Sequence, residues 1–261
     1  MKAKAVVWLH FLRLWRYRIS FMNTVLNMIL WFTIFVLGAL MFVPREQLAE
    51  SAALAFWGIV MWNFISTPTW VMGGWMRFYV SQGFVEEHML ANTSTTLVLV
   101  GRMIPNTAVS TAASILMYYV ISAAAGQPLP PVKSWPTLLL GLADLIAMAV
   151  AYSLAIAAVT MVTGAPMRLV ELGNFLVFIV GGVAAPVSKL PTALQKIALA
   201  VPYSYASETV RLGATGTPPH TPHAPEIATA LAITLAAIAL ALMKRAEKAV
   251  RVRGTKAIGG M

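Results

Sequence analysis

Long apolar runs constrain the fold of this chain more than any other feature of its sequence. Six such runs occur in the 261 residues, each close to the roughly 20 residues that a helix needs to cross about 30 Å of hydrocarbon. They cover about 21–43, 52–72, 97–125, 135–162, 167–185 and 227–243. In hydrocarbon, backbone hydrogen bonds must be satisfied within the segment, so these runs predict membrane-spanning α-helices. We therefore predict an all-α membrane protein, in which residues 1–261 form a single transmembrane domain with six transmembrane helices.

The overall composition excludes a water-soluble protein. Hydrophobic residues make up 59% of the chain and charged residues only 11%, whereas soluble domains have about 25% charged residues. The net charge of +10 is therefore explained by basic residues that flank cytoplasmic helix ends, and we predict no binding to nucleic acid. The chain has no cysteine, which excludes disulfides, thiolate metal sites and cysteine nucleophiles.

The first 19 residues are predicted to form an amphipathic interfacial helix. Apolar side chains recur there at helical spacing, and basic side chains lie between them. The apolar set is Trp8, Phe11, Leu12, Trp15 and Ile19, and the basic set is Lys2, Lys4, Arg13, Arg16 and Arg18. Such a helix lies in the headgroup plane, where it contacts membrane lipid without crossing the bilayer.

The distribution of basic residues predicts the orientation in the membrane. Six spans place both termini on one side, and fourteen of the 19 lysines and arginines fall on that side. Arg77, Arg102 and Arg168 are counted in loops of that side, and residues 244–261 form a basic tail there. Because cytoplasmic segments carry the excess of lysine and arginine, we predict a multi-pass protein of the cell membrane with both termini in the cytoplasm.

The polar stretch 73–105, between the second and third apolar runs, then lies on the cytoplasmic side. Its centre reads Gln82, Gly83, Phe84, Val85, Glu86, Glu87, His88, Met89 and Leu90, followed by a Ser/Thr-rich stop at 92–96. A glycine, an acidic cluster, an aliphatic residue and such a stop before the third membrane helix resemble the ABC-2 type (type-2 ABC exporter) permeases. The family usually has Thr-Leu-Glu after the glycine, where this chain has Phe84, Val85 and Glu86.

In that family the segment is a short coupling helix that receives motion from a separate ABC ATP-binding subunit. The resemblance therefore implies that Gly83 permits a sharp entry into the helix. It also implies that Glu86 or Glu87 contacts polar or basic groups of the ATPase, and that Phe84 or Met89 packs into its groove.

A second segment, residues 185–212, carries the same resemblance. Its proline, small, apolar, aromatic and charged positions follow the order found between the fifth and sixth spans of ABC-2 permeases. The positions are Pro186, Leu190, Pro191, Pro202, Tyr203, Glu208 and Arg211. The resemblance implies short outer-leaflet helices that cap the transport path before the last span. The periodicity alone is equally consistent with an interfacial amphipathic loop that has no part in transport.

The resemblance implies the permease subunit of an ATP-driven ABC transporter, which exports a drug-like, lipid or glycan-type substrate. ATP and Mg²⁺ would be bound by the partner subunit, and a second permease copy, identical or different, would complete the pathway. The chain has no Gly-x-x-x-x-Gly-Lys-Ser/Thr phosphate loop, so we expect no ATPase site and no cofactor of its own. A channel or scaffold that works without an ATPase is the alternative.

Few residues suggest chemistry within the spans. Asp144 is a weak candidate for a substrate or proton path, and a hydrogen-bonded carboxyl near the outer interface is an equal alternative. Arg168 and Glu171 are spaced for a local ion pair. His220 and His223 lie in a proline-rich external loop, where we predict no metal site. A membrane enzyme would need a cluster of catalytic groups, and the spans contain none beyond Asp144.

Overall fold

The structure is a computed structural model that describes residues 2–126, 128–163 and 167–254, and over 167–171 it describes the backbone alone. Helices dominate this part of the chain, and no strand occurs in it. The helices are α1 (Lys2–Arg16), α2 (Arg18–Leu40), α3 (Leu48–Pro68), α4 (Gly74–Ser81), α5 (Phe84–Leu90), α6 (Thr95–Ala124), α7 (Trp135–Thr163), α8 (Met167–Val180), α9 (Thr192–Ala198), α10 (Pro202–Thr215) and α11 (Ala224–Arg253).

Five helical stretches in the described residues are long and apolar enough to cross a membrane. They are Arg18–Leu40, Arg45–Ser81, Thr95–Ala124, Trp135–Thr163 and Ala224–Arg253. Each overlaps one of the six predicted spans, which confirms an all-helical membrane protein. The prediction of six spans is not confirmed, because no such stretch covers the predicted fifth span.

The predicted fifth span, about 167–185, contains α8, which has only 14 residues. At 1.5 Å per residue this helix is about 21 Å long, less than the hydrocarbon thickness. It ends at Gly181 and Gly182, and Gly182 has a φ of +71°, which a residue with a side chain rarely adopts. A bend at this glycine pair therefore ends the helix earlier than its apolar sequence predicts.

The second span is longer than predicted. We expected it to end at Gly73 and Gly74, but both glycines keep helical backbone angles, and the helix continues through α4 to Ser81. Pro68 lacks a backbone N–H, and a π-helical turn over Thr69–Gly73 follows it. The hydroxyl of Thr69 donates to the carbonyl of Ile65 at 3.1 Å. The stretch 73–105 is therefore mostly helical rather than a loop.

The last span is also longer than the predicted 227–243. Helix α11 begins at Ala224 and continues to Arg253, so the described part of the predicted basic tail is helical. Residues 255–261 of that tail lie outside the described residues. The interfacial helix predicted over 1–19 corresponds to α1, which ends at Arg16, and only Tyr17 lies between it and α2.

Helix α7 lies at the centre of the bundle and packs against α3, α10 and α11. Asp144, in the first half of α7, accepts a hydrogen bond from Thr229, near the start of α11. Further along, Ala157 of α7 and Met243 of α11 share one apolar cluster, so these two helices run parallel. The chain between them must therefore return to the end of the bundle where α7 began. Helix α8 makes this return, and α9 and α10 lie at the end that it reaches.

Close contact between α7 and α10 depends on glycine. A Cβ atom added to Gly141 in α7 would lie 2.7 Å from the backbone nitrogen of Val210 and 2.9 Å from its Cγ2 atom. In membrane proteins small residues allow such close backbone approach, and the packing energy that follows replaces the hydrophobic drive that lipid does not supply.

We expect Gly141→Ala to lower the free energy of unfolding by about 1–3 kcal/mol, the usual range for overpacking, because the added methyl group meets backbone atoms that cannot move independently. Thermal unfolding in detergent measures the effect. Gly38→Ala in α2 is the matched control, since nothing lies within 4 Å of its added Cβ. Equal midpoints for the two variants would contradict the proposed packing.

Candidate functional site

Helix α5 is attached through a turn that requires glycine. Gly83 has a φ of +74°, in the left-handed region that glycine adopts without strain. The side chain of Val85 is 0% exposed and packs into an apolar cluster with residues of α4, α6 and α11. Glu87 and Leu90 are exposed, Leu90 to 88%. The helix thus has one face fixed to the bundle and one face turned outward.

Aromatic rings join α4 to α5. The ring of Phe84 lies 5.6 Å from that of Phe78 and 6.2 Å from that of Tyr79, measured between centroids. Tyr79 also meets the ring of His88 edge-on at 5.1 Å. Phe84 therefore packs within this chain. Leu90 is the most exposed apolar side chain of α5, while Phe84 and Met89 are half-buried. That Phe84 or Met89 packs into a groove of the ATPase stays a prediction.

The same cluster holds a buried arginine. Arg102 is only 7% exposed, and its guanidinium carbon lies 3.4 Å from the centroid of the Trp75 ring. Arg13 of α1 lies 4.3 Å from the same ring, and Arg102 donates to the hydroxyl of Tyr79 at 3.4 Å. The prediction that Arg102 lies in a loop is wrong, because it lies within α6. Its charge is stabilised by an aromatic face and a hydroxyl group.

Helix α1 packs along the first turns of α6. A Cβ atom on Gly101 would lie 2.7 Å from a methyl group of Val6, and the Nε2 of His10 lies 3.2 Å from the carbonyl of Val98. Burial lowers the pKa of His10, and the charge of Arg102 lowers it further, which favours the neutral imidazole. Lys2 donates to the carbonyl of Asn92 at 2.7 Å.

The N-terminus of α6 is capped by a residue far away in the sequence. Glu247 of α11 accepts hydrogen bonds from the hydroxyl of Ser94 at 2.8 Å, and from the backbone N–H and hydroxyl of Thr96 at 3.0 Å each. The contacts of Lys2 and Glu247 therefore bring α1, α5 and the last turns of α11 to one end of the bundle, which we call the α5 end.

The second predicted motif lies at the opposite end, the α10 end. Pro186 precedes a 3₁₀ turn, Pro191 precedes α9 directly, and Pro202 is the first residue of α10 rather than a break within a helix. Leu190 packs on a small apolar cluster beside α9, and Tyr203 is buried in the main core. The motif therefore forms two short helices before α11.

Arg211 of α10 holds the chain that follows α8. This side chain is 2% exposed; its Nε donates to the carbonyl of Gly182 at 3.2 Å and its Nη2 to that of Val183 at 2.8 Å. Gly182 and Val183 lie beyond the end of α8, so no helical N–H pairs with their carbonyl groups, and the buried guanidinium satisfies them instead. Gly58 of α3 leaves room for the same carbonyl of Val183.

Glu208, one turn before Arg211, holds a different segment. Its carboxylate accepts hydrogen bonds from the backbone N–H groups of His220 and Thr221, at 3.2 Å each. Burial raises the pKa of Glu208, whereas these N–H donors lower it in part. The proline-rich loop before α11 is thereby fixed to α10.

The remaining candidates have structural contacts. Asp144 is buried and bonded at 2.8 Å to the hydroxyl of Thr229, which matches the hydrogen-bonded alternative. His223 lies 3.9 Å from Glu226 at the exposed start of α11. Arg168 and Glu171 fall where side chains are not described. In the described ranges, no three His, Cys, Asp or Glu side chains are placed to hold a metal ion.

The sequence analysis missed the roles of Glu247 and Arg102. Glu247 is the one acidic residue between Lys244 and Arg253, and that isolation among basic residues is a signal that it has a specific partner. Arg102 lies eight residues into an apolar helix, which also marks it. The identity of either partner was not visible, because Ser94 and Trp75 are distant from them in the sequence.

Comparison with models of known protein families gives a match. Residues 1–214 match the family model described as ABC-2 type transporter. No curated protein matches the chain. The matched range contains α5 and the motif of α9 and α10, and it stops before α11.

We expect Trp75→Leu to lower the free energy of unfolding by about 2 kcal/mol or more, because Arg102 then stays buried without an aromatic face. Trp70→Leu is the control, since Trp70 is 47% exposed and has no ring partner in the described residues. Thermal unfolding in detergent compares the two variants. A larger loss for Trp70→Leu would exclude this role of Trp75.

We expect Glu208→Gln to accelerate amide hydrogen exchange at His220 and Thr221 by about tenfold or more, since one acceptor becomes an NH₂ donor and a bond to a charged group is lost. Glu226→Gln on the exposed start of α11 is the control.

The raised pKa of Glu208 also means that ionising this carboxyl disfavours folding. The unfolding free energy of the unchanged chain should therefore fall as the pH rises from the usual carboxyl pKa through this raised value, and Glu208→Gln should lack that fall.

Proposed function

Because the chain belongs to the ABC-2 type transporter family, we propose that it is the membrane subunit of an ATP-driven exporter whose energy comes from a separate ATP-binding subunit. The observation that carries this proposal is the mounting of α5. One face of the helix is fixed by Val85 and the aromatic cluster, and the other presents Glu87 and Leu90 outward. Because α5 is fixed to the bundle on one face, a displacement that a partner imposes on it is transmitted to the bundle.

The basic residues support a cytoplasmic location for the α5 end. Helix α1 and the last turns of α11 lie there, as the contacts of Lys2 and Glu247 establish. Both helices are rich in lysine and arginine, which favour the cytoplasmic side of a membrane. ATP and Mg²⁺ would be bound in that compartment by the partner subunit.

The α10 end would then face outward. There Arg211 and Glu208 hold the segment after α8, α10 and the loop before α11 together, which supports a closed outer end. We propose that movement at α5 opens this end to a drug-like, lipid or glycan-type substrate. A second permease copy would supply the other wall of the pathway. The large apolar side chains that α2 leaves exposed, among them Trp31 and Phe35, support such a neighbour or lipid contact.

The proposal is tested by co-expressing the tagged chain with the ABC-type ATP-binding subunit encoded beside it, and by measuring retention and ATP hydrolysis. We expect the partner to be retained, with an altered rate of hydrolysis. Loss of the partner at low detergent and low salt, with no change in ATP hydrolysis, would favour a channel or scaffold instead.

We expect replacement of both Glu86 and Glu87 by lysine to reduce retention of the ATP-binding subunit by about tenfold, because charge reversal at a complementary interface costs several kcal/mol. Glu226→Lys, the same substitution at one exposed residue of the α10 end, is the control, and it carries half of the charge change. Quantitative pull-down gives the ratio. Retention equal to that of the control would exclude α5 as the docking helix.

A further inference from the structure

Glu247 stands out as a half-buried carboxylate on a basic helix. The other charged residues in the last turns of α11 are Lys244, Arg245, Lys248, Arg251 and Arg253. All five are exposed and suit a membrane surface, whereas Glu247 is half-buried and bonded to the start of α6. Helix α11 lies beyond residue 214, so the family match assigns it no role.

The contact replaces an ordinary helix cap. Ser94 occupies the N-cap position of α6, but its side chain caps no backbone N–H. Its hydroxyl donates instead to Glu247, which also accepts the backbone N–H of Thr96. A carboxylate at this position satisfies an N–H that the helix leaves unpaired and interacts favourably with the positive end of the helix dipole. Three charge-assisted bonds therefore join α11 to α6.

The capped segment is continuous with α5. The backbone N–H of Thr93 donates to the carbonyl of His88 at 2.8 Å, so the turn between α5 and α6 is fixed to α5. Glu247 also lies close enough to act on His88: burial lowers the pKa of that imidazole, whereas the charges of Glu87 and Glu247 raise it. On the buried face of α5, Val85 shares an apolar cluster with Met243 of α11. The start of α6, and through it α5, is thus joined to the end of α11.

Helix α11 in turn packs along α7 as far as the bond between Asp144 and Thr229. There α7 meets α10 at the contact of Gly141 with Val210. A displacement of α5 that is carried by α11 therefore reaches the helices of the α10 end. Without the cap, α5 would keep its contacts with α4 and α6 and the bond from Lys2 to Asn92, but it would lose its polar link to α11 and would move more independently of that helix.

We propose that Glu247 is a positioning residue for coupling: it clamps α5 to α11, so that movement imposed on α5 is transmitted to the α7–α11 pair. This inference rests on the proposed function, in which α5 receives that movement from an ATP-binding subunit. The clamp itself is a property of the free chain and is tested without the partner.

The absence of native cysteine makes a distance measurement direct. Ala91→Cys and Lys248→Cys, both at exposed positions outside the proposed docking face, carry spin labels directly after α5 and on α11. In the free subunit we expect one narrow distance distribution, and a broader one after Glu247→Ala, with Glu247→Gln between the two because it keeps one acceptor. Glu226→Ala, at the other end of the same helix, is the matched control and should leave the distribution unchanged.

In the complex with the ATP-binding subunit, we expect Glu247→Ala to leave retention of that subunit unchanged. The change in its ATP hydrolysis rate that the membrane chain causes should become about fivefold smaller, which corresponds to the loss of one helix cap. ATP should separate the two labels in this variant and not in the unchanged chain. If Glu247 only stabilised the fold, Glu247→Ala would lower the thermal midpoint, and ATP would not separate the two labels in this variant.

An unchanged label distribution in the free Glu247→Ala chain would overturn the clamp. So would an ATP-dependent separation of the labels in the unchanged chain. If no ATP-binding subunit is retained by the unchanged chain, the proposed function fails, while the measurement on the free chain still decides whether Glu247 holds α5 to α11. If Glu247→Ala does not fold, Glu247→Gln gives the same comparison, with a broader distribution supporting the clamp and an unchanged one overturning it.

Discussion

The parallel contact between α7 and α11 is the constraint on which the rest of the structure depends. Two helices that run in the same direction cannot be joined by a short turn, so the chain between them has to return across the bundle. This requirement accounts for the short α8, for the bend at Gly181 and Gly182, and for the position of α9 and α10. Buried alanines such as Ala151 and Ala232 accompany that contact, since small residues let helices approach closely where lipid supplies little drive for association.

Buried charges at both ends are stabilised without close ion pairs in the described residues. Arg102 lies on an indole ring, Arg211 binds carbonyl groups after α8, and Glu208 binds backbone N–H groups. A buried ion pair must offset the desolvation of two charges, whereas a backbone dipole or an aromatic face must offset that of only one. Each of these charges also joins segments that are distant in the sequence, so each contributes to the closure of its end of the bundle.

The sequence analysis located both motifs, because local chemistry dictates them. Gly83 adopts the left-handed backbone that its turn requires, and prolines precede or begin α9 and α10 as their missing N–H allows. The end of the second span was predicted wrongly, since two adjacent glycines suggested a stop. Packing of the following residues against α6 and α7 outweighs the low helix propensity of glycine, and the helix continues to Ser81.

By itself the sequence determined the class of the protein, the approximate position of five membrane helices, and the location of α5, because hydropathy and turn chemistry act over a few residues. Only the tertiary structure decided which side of α5 faces outward, which partners hold Arg102 and Glu208, and that Glu247 caps α6. The physical reason is sequence distance: the carboxylate of Glu247 and the amide of Thr96 are 151 residues apart, and their contact exists only after the helices have packed.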